Sequence, residues 1–269
     1  MSSVLPFLLY MSLGAVVGLL AGMLGVGGGF VIVPALMFIF GMQGLGGDMA
    51  TQMAVATSLA TIMATSLSSA HAHHRRHSVD WPLFFRTSPS LFVGALGGAW
   101  VSSLLPGSAV RMVFALFAVF MSFQMALERH PQQARAFGAW GFAVGGSLVG
   151  LLSGLVGIGG GSLLVVGFSL YGLSMRHAIG TSAACTLPIA VGGALGHFLA
   201  GAGEAGRPPG ALGYIHVEAA LGIALASVFV APLGAKLAHH LPVVVLKRFF
   251  ALFLFCLGVQ LLWRNLPWV

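Results

Sequence analysis

Long uncharged apolar runs constrain this chain more than any other feature of its sequence. Of the first 74 residues only Asp48 is charged, and none of the 39 residues from Ala136 to Ser174 is. Apolar runs well beyond about 20 residues predict transmembrane helices. Only 6% of the residues are charged, which excludes a soluble enzyme, a secreted disulfide scaffold and a disordered chain. The runs also lack the alternation of a membrane β-barrel, so we expect a polytopic all-α membrane protein.

Glycine, proline and charged residues divide the apolar sequence into ten predicted spans. Two of them, beginning at Gly29 and Gly161, have only about a dozen residues. At ~1.5 Å per residue, neither can cross a ~30 Å hydrocarbon core alone, which predicts a broken or re-entrant helix. The first span has no basic segment before it and is expected to be a retained helix rather than a cleaved signal peptide. The predicted spans are Val4–Met23, Gly29–Gly41, Met49–Ala72, Trp81–Leu104, Val110–Leu127, Phe137–Val156, Gly161–Gly172, His177–Ala200, His216–Leu237 and Val243–Trp263.

The sequence contains an internal duplication. A shift of 132 residues superimposes Gly14–Gly29 on Gly146–Gly161, with 10 of 16 positions identical. Farther along, a shift of 124 aligns Thr57-Ser58 with Thr181-Ser182, and a shift of 136 aligns Leu105-Pro106 with Leu241-Pro242. Three matches in the same order indicate two transmembrane repeats, residues 1–130 and 131–269, within one membrane domain.

The distribution of basic residues predicts how the two repeats insert. If each short segment brings the chain back to the side from which the preceding long segment started, nine of the 12 basic residues share one side of the membrane. The three opposite are Arg111, Arg207 and Arg264. A single crossing for each long-plus-short pair would change the division to seven and five, so the positive-inside rule favours the first arrangement. Each half then makes five crossings or partial crossings, and an odd number requires opposite insertion. We therefore expect two inverted repeats of about five helices, with both termini outside.

The glycines fall into two groups with different expected roles. Gly14, Gly18 and Gly22 share one helix face, a spacing repeated in the second half, and are expected to let helices approach closely. The runs Gly25–Gly29 and Gly157–Gly161 are too rich in glycine for a stable helix, because each glycine costs about 1 kcal/mol relative to alanine. The backbone is therefore predicted to open there, immediately before each short helix.

An opened backbone before a helix leaves free N–H groups at the positive end of the helix dipole, which is a ready anion site. Inverted-repeat transporters place such interrupted helices around a site near the midplane of the membrane. We therefore predict that the two runs face each other and bind an anionic substrate; a tight turn in a purely structural hairpin is the alternative. The predicted contacts are Gly27, Gly28, Gly29, Gly159, Gly160 and Gly161.

Thr57-Ser58 and Thr181-Ser182 begin the next helix in each half and are predicted substrate contacts. Hydrogen bonds from their hydroxyls to neighbouring backbone carbonyls, a common arrangement in helices, are the alternative. Weaker candidates of the same kind are Ser153, Ser162, Thr186, Gln124 and Gln260.

The histidines suggest proton coupling more than metal binding. Four of them crowd one predicted helix end beside Arg75 and Arg76, whose charges oppose a cation, so no metal site is expected. His73 aligns with His197 across the repeat, and these two are the candidates for proton coupling. The five acidic residues lie at span ends or in loops, so the carboxylate-lined path of a cation carrier is missing.

The doubled motif G-L-L-A-G-M-L-G-V-G-G-G and G-L-L-S-G-L-V-G-I-G-G-G, each followed by a Thr-Ser helix, resembles the TauE/SafE family of membrane permeases over nearly the whole chain. The resemblance implies secondary transport of sulfur-containing anions such as sulfite and organosulfonates. Pro34 follows the first run, as the family pattern leads one to expect, whereas Val166 occupies the equivalent place in the second half. The two half-sites are therefore expected to differ chemically.

The function expected is that of a permease in the cell (inner or plasma) membrane, not an enzyme and without a cofactor. Its expected partners are a small anion, sulfite or a sulfonate, and the lipid bilayer. No nucleic acid is expected despite the net charge of +7, and a homo-oligomer stays open. A metal-cation (Ni/Co-type) transporter using the histidine-rich loop is one alternative. An intramembrane hydrolase, with Ser153 as nucleophile and His197 as base, is the other.

Overall fold

The structure, a computed structural model, describes residues 4–24, 28–127, 138–238 and 243–265. Within these ranges it consists of ten α-helices and one short β-hairpin. The helices of the first half are α1 (Val4–Leu24), α2 (Gly29–Met42), α3 (Gly47–Arg75), α4 (Trp81–Leu104) and α5 (Gly107–Leu127). Those of the second half are α6 (Ala139–Val156), α7 (Gly161–Tyr171), α8 (Met175–Ala200), α9 (Val217–Ala238) and α10 (Val243–Asn265). The hairpin joins β1 (Ala211–Leu212) to β2 (Ile215–His216) between α8 and α9.

Each predicted span corresponds to one helix, with bounds that differ by at most three residues. The largest differences are at the end of α3, which continues to Arg75 rather than Ala72, and at the start of α5. Local chemistry explains two of the helix starts. Helix α5 begins at Gly107, three residues before the predicted start, because the carbonyl of Pro106 accepts hydrogen bonds from Ala109 and Val110. Helix α8 begins at Met175 rather than His177 because the Ser174 side chain caps it. The expectation of an all-α polytopic membrane protein is confirmed.

Helix length and composition separate the crossing helices from the short ones. Three helices, α3, α5 and α8, are long and apolar enough to cross a membrane. Helices α2 and α7 have 14 and 11 residues, or about 21 and 16 Å at ~1.5 Å per residue, too short to cross alone. Large apolar side chains such as Trp140 and Phe229 are 83% and 77% exposed, which suits a surface covered by lipid.

The helix contacts follow the duplication. Helix α1 packs on α9, and α6, the counterpart of α1, packs on α4, the counterpart of α9. The remaining large contacts join α3 to α8, α5 to α10 and α4 to α8. At the α1–α9 contact, a Cβ on Gly14 would lie 2.5 Å from the Ile223 carbonyl oxygen, and one on Gly18 would lie 2.6 Å from that of Ser227. These glycines therefore allow backbone-to-backbone packing, as their spacing predicts.

The equivalent helices α3 and α8 run in opposite directions. Arg176, near the start of α8, donates a 2.6 Å hydrogen bond to the carbonyl of Arg76, just after the end of α3. The hairpin that follows α8 reaches the first half of α3, where the His216 N–H bonds to Thr57. This is the relation that inverted repeats require, and the direction of insertion itself stays a prediction. We call the end of the bundle with Arg76 and Arg176 the Arg76 end.

The opposite end of the bundle contains one of the three arginines predicted to face away from the majority. Arg111 of α5 donates to the Asn265 side chain at 3.3 Å and to Thr51 Oγ1 at 2.6 Å. Asp48, at the start of α3, accepts a 2.6 Å hydrogen bond from the Gly107 N–H. We call this the Arg111 end.

Candidate functional site

The described end of the first glycine run, Gly28 and Gly29, lies inside the protein beside the second run. A Cβ on Gly29, the first residue of α2, would lie 2.8 Å from the Gly157 carbonyl oxygen and 3.0 Å from Ile158 Cα. Gly28 and Gly160 cap α2 and α7 with φ of 61° and 65°, in the left-handed region that favours glycine. The predicted contacts from Gly28 to Gly29 and from Gly159 to Gly161 are all buried. Gly27 lies outside the described residues.

The N-termini of α2 and α7 carry no side-chain cap. Neither Gly28 nor Gly160 has a side chain to accept the first N–H groups, and within the described residues neither helix has a side-chain cap. The Gly28 carbonyl accepts from Val31 and Ile32, and the Gly160 carbonyl accepts from Leu164. The N–H groups at the start of each helix, before Val31 in α2 and before Leu164 in α7, are the ones that an α-helix leaves without an intrahelical partner. Two bare, positive helix ends therefore lie in the buried interior.

The serines of the Thr-Ser pairs hold the backbone around these kinks. Ser58 Oγ in α3 donates to the Gly157 carbonyl at 2.8 Å, across the boundary between the halves. Ser182 Oγ in α8 donates to the Gly161 carbonyl at 2.5 Å. Both side chains are buried. In this conformation their protons are therefore taken by carbonyls, and a substrate-contact role, which stays a prediction, requires each hydroxyl to rotate.

The threonines of the pairs accept hydrogen bonds from the backbone of two residues that the sequence did not single out, Asp80 and His216. Thr181 Oγ1 accepts from the Asp80 N–H at 2.9 Å, and Thr57 Oγ1 accepts from the His216 N–H at 3.0 Å. Asp80 and His216 are separated by 136 residues, the same shift that aligns Leu105-Pro106 with Leu241-Pro242. Extending that alignment backwards would have found them.

Asp80 and His216 also cap the helices that follow them. Asp80 Oδ1 accepts from the Leu83 N–H at 3.0 Å, and His216 Nδ1 accepts from the Ala219 N–H at 3.3 Å. The imidazole of His216 lies against the rings of Tyr10 and Phe40, with centroids 5.6 and 5.2 Å away. Burial lowers the pKa of His216 below its ordinary value, which agrees with a neutral ring whose Nδ1 accepts.

His73 and His197, the predicted proton-coupling pair, are not brought together. His73 Nδ1 lies 3.1 Å from Ser78 Oγ at the Arg76 end. His197 is fully buried near the other end of α8, with Nε2 3.2 Å from the Gly154 carbonyl and Nδ1 without a hydrogen-bond partner. Proton coupling by either residue stays a prediction.

A cleft of about 350 Å³ opens at the Arg111 end and stops short of the glycine kinks. Asp48, Glu204 and Tyr214 are part of its lining, together with Gln52. The Gln52 side chain is buried, donates to the Ser102 carbonyl and accepts from Ser102 Oγ at 3.0 Å. Gln52 lies five residues before Thr57, or about 7.5 Å along the helix. Along α3, the cleft therefore ends at Gln52, before Thr57.

Two of the described carboxylates are engaged outside the glycine runs. Asp48 and Asp80 are engaged at the Arg111 end and in the loop before α4, respectively. In the described ranges, no three His, Cys, Asp or Glu side chains converge as ligands of a metal ion would. The polar groups that the structure gathers at the glycine runs are therefore neutral hydroxyls and backbone amides.

Comparison with known proteins finds similarity along nearly the whole chain. The model of a family described as "Sulfite exporter TauE/SafE" matches residues 10–261. A probable membrane transporter protein of Haemophilus influenzae is 32% identical over 256 residues, covering 94% of this chain and 97% of that protein. One of Bacillus subtilis is 28% identical over 287 residues, covering 97% and 99%. The matched range includes both glycine runs and both Thr-Ser helices.

Proposed function

The chain belongs to the sulfite exporter TauE/SafE family, and we propose that it carries a small sulfur-containing anion, such as sulfite or an organosulfonate, by secondary transport. Family membership makes it a multi-pass membrane transporter with a small-molecule substrate. The anionic substrate is supported chiefly by one observation. Two uncapped helix N-termini lie where Gly29 contacts Gly157, in a buried region whose polar groups are neutral hydroxyls and amides.

Secondary transport is supported by both the sequence and the helix arrangement. The chain contains no G-x-x-x-x-G-K-[ST] phosphate-binding motif, so the energy would come from an ion or substrate gradient. We propose that residues 1–130 and 131–269 form inverted repeats that rock around the kinks. Thr57, Ser58 and Thr181 are 0% exposed. A substrate therefore reaches the site only when helices separate on one side or the other.

Flux measurements on proteoliposomes test this function. We expect radiolabelled sulfite, kept free of oxygen, or a sulfonate such as methanesulfonate to be transported, and Ni²⁺ and Co²⁺ not to be. Transport of the metal ions without anion transport would overturn the proposal in favour of the cation carrier. Protein-free vesicles are the control, because the flux of each solute in them measures passive leakage. That flux is subtracted from the flux measured with the protein.

A glycine substitution tests the helix N-terminus itself. In Gly160→Val, the side chain must adopt φ of 65°, and its Cβ would lie 2.6 Å from Ser153 Oγ and 2.8 Å from Ile189 Cδ1. We expect anion flux to fall at least roughly tenfold, the equivalent of about 1.4 kcal/mol. Gly167→Ala in the same helix is the matched control, because no atom lies within 4 Å of its added Cβ. Unchanged flux in Gly160→Val would contradict a role for this N-terminus.

A further inference from the structure

The two helix N-termini at the kinks have different surroundings although their sequences are duplicated. Three positions around α7 carry hydroxyl groups, and their counterparts around α2 carry none. Under the shifts of 132 and 124 residues, the pairs are Ser153 and Ala21, Ser162 and Phe30, and Thr186 and Ile62. The duplication therefore preserves the backbone kink and changes the chemistry beside it.

Ser153 is the most informative of these hydroxyls. It is 1% exposed, and its Oγ has no hydrogen-bond partner among the residues that the structure describes. The side chain lies directly against the N-cap of α7, since a Cβ on Gly160 would be 2.6 Å from Ser153 Oγ. A buried hydroxyl without a partner is destabilising and requires an explanation. A ligand at the start of α7 would supply the missing partner.

Ser162 adds a second hydroxyl at the same helix end. It is the second residue of α7, and its Oγ is also shielded from solvent and without a partner. Thr186 Oγ1 would lie 3.4 Å from a Cβ on Gly161, but its proton is already donated to the Ser182 carbonyl at 3.1 Å. The free donors at this helix end are therefore the hydroxyls of Ser153 and Ser162 and the first backbone N–H groups.

The start of α2 is enclosed by apolar groups instead. Phe30 is buried and stacks on Phe117, with ring centroids 5.8 Å apart. Ile62 fills the space between the runs, with its methyl carbons 3.2 Å from a Cβ on Gly29 and 3.3 Å from one on Gly159. A Cβ on Gly28 would meet the Val17 side chain at 2.7 Å. Apolar atoms therefore line the approach to this helix end.

We propose that the anion binds at the N-terminus of α7 alone, held by the hydroxyls of Ser153 and Ser162 together with the N–H groups of Gly161 and Ser162. This inference rests on the proposed function. It replaces a site shared equally by the N-termini of α2 and α7 with a one-sided site at α7. The donors suit a group with several oxygens around one centre, such as the SO₃ group common to sulfite and sulfonates. The helix dipole adds its positive end at the same place.

Binding to the purified full-length chain tests the one-sided site. The probes are sodium sulfite under nitrogen and methanesulfonate, titrated against wild type, Ser153→Ala and Ser162→Ala. Since a hydrogen bond to an anion is lost, we expect each variant to bind roughly tenfold to a hundredfold more weakly. Ala21→Ser is the matched control, because it adds the hydroxyl at the equivalent place in the first half, and we expect its affinity to equal that of wild type.

Thermal unfolding of the same variants separates ligand binding from a structural role. Because the Ser153 hydroxyl has no partner in the protein, its removal is expected to leave the unfolding temperature unchanged or raise it, while affinity falls. A lowered unfolding temperature with unchanged affinity would overturn the inference.

The outcomes also distinguish this inference from the function on which it rests. If wild type binds the probes and both serine variants bind equally well, the one-sided site is wrong and the proposed function stands. If Ala21→Ser changes affinity as much as Ser153→Ala does, the site is shared between the halves. If wild type binds neither probe, the proposed function fails and the inference fails with it.

Discussion

At the residue scale, glycine has two separate roles in this chain. Gly14 and Gly18 allow backbones to touch where α1 meets α9. Gly28 and Gly160 supply positive φ where the backbone turns into a short helix. The sequence predicts both roles from spacing, because a glycine every fourth residue marks a helix face and consecutive glycines break it.

The packing role predicts a strong effect on stability at one position. In Gly18→Ala the added Cβ would lie 2.6 Å from the Ser227 carbonyl oxygen and 2.7 Å from Ser227 Cα. Backbone atoms cannot yield as a flexible side chain can, so we expect a loss of about 1–3 kcal/mol, measured as a lower unfolding temperature in detergent. Gly97→Ala in α4 meets no atom within 4 Å and serves as the control. Equal unfolding temperatures for the two variants would contradict close α1–α9 packing.

The hydrogen-bond partners of the serine hydroxyls could not be predicted from residue type. Ser58 and Ser182 stand out in the sequence, and their hydroxyls lie at the glycine runs. Their protons nevertheless go to the carbonyls of Gly157 and Gly161. The Ser58 bond joins residues 99 positions apart, and such a partner depends on tertiary packing that no local pattern encodes.

At the element scale, the ten helices could be predicted because their boundaries are set locally by glycine, proline and capping side chains. The β1–β2 hairpin could not, since two-residue strands are too short to show a periodic pattern. Its importance appears only in the folded chain, where the His216 N–H bonds to Thr57 while the ring stacks on Phe40. The loop before α4 makes the equivalent contact through Asp80.

The hairpin contact predicts a dependence of stability on pH. Burial is the largest cause that lowers the pKa of His216, and Glu218 in α9 opposes it. From α1, Tyr10 faces the ring, and α2 contributes the uncharged Phe40. The folded protein therefore takes up this proton less readily than the unfolded chain, whose histidine titrates near pH ~6.5. Stability is fully present above that pH and is lost as the pH falls below it.

Comparing wild type with His216→Asn isolates this effect from the other histidines. Asparagine is a good N-cap that does not titrate. We therefore expect the unfolding temperature of the variant to decrease less between pH 7 and pH 5 than that of wild type. Thermal unfolding across that range gives the comparison. Parallel curves for the two proteins would show that His216 does not couple to folding.

At the scale of the whole molecule, the contacts are organised by the duplication. Helices α1 and α9 pair as α6 and α4 do, and α3 and α8 run in opposite directions across the centre. From the count of basic residues and the odd number of elements in each half, the sequence predicts opposite directions for equivalent helices, but not which helices pack together. It does not predict how unequal the halves are, because the difference lies in single side chains such as Ser153 and Ala21.

The proposed inverted repeats predict which residues share a face of the membrane. After replacement of the exposed Cys256, single cysteines at Arg76 and Arg176 should react with an impermeant maleimide from one side. Cysteines at Arg111 and Arg207 should react only from the other side. Labelling of Arg76→Cys and Arg176→Cys from opposite sides would contradict the inverted repeat. Cys185 is buried and provides an internal check that the membrane-inserted fold is intact.

The hydrogen bond from Ser58 to Gly157 has a consequence for the timing of transport. It joins α3 of the first half to the glycine run of the second, so separation of the two requires this hydrogen bond to break. The predicted contact of Ser58 with the substrate would give this proton a charged acceptor, the anion, in place of a neutral one. Binding of the anion would thereby break a link between the two halves. Without substrate that link would remain, and the protein would change conformation less readily.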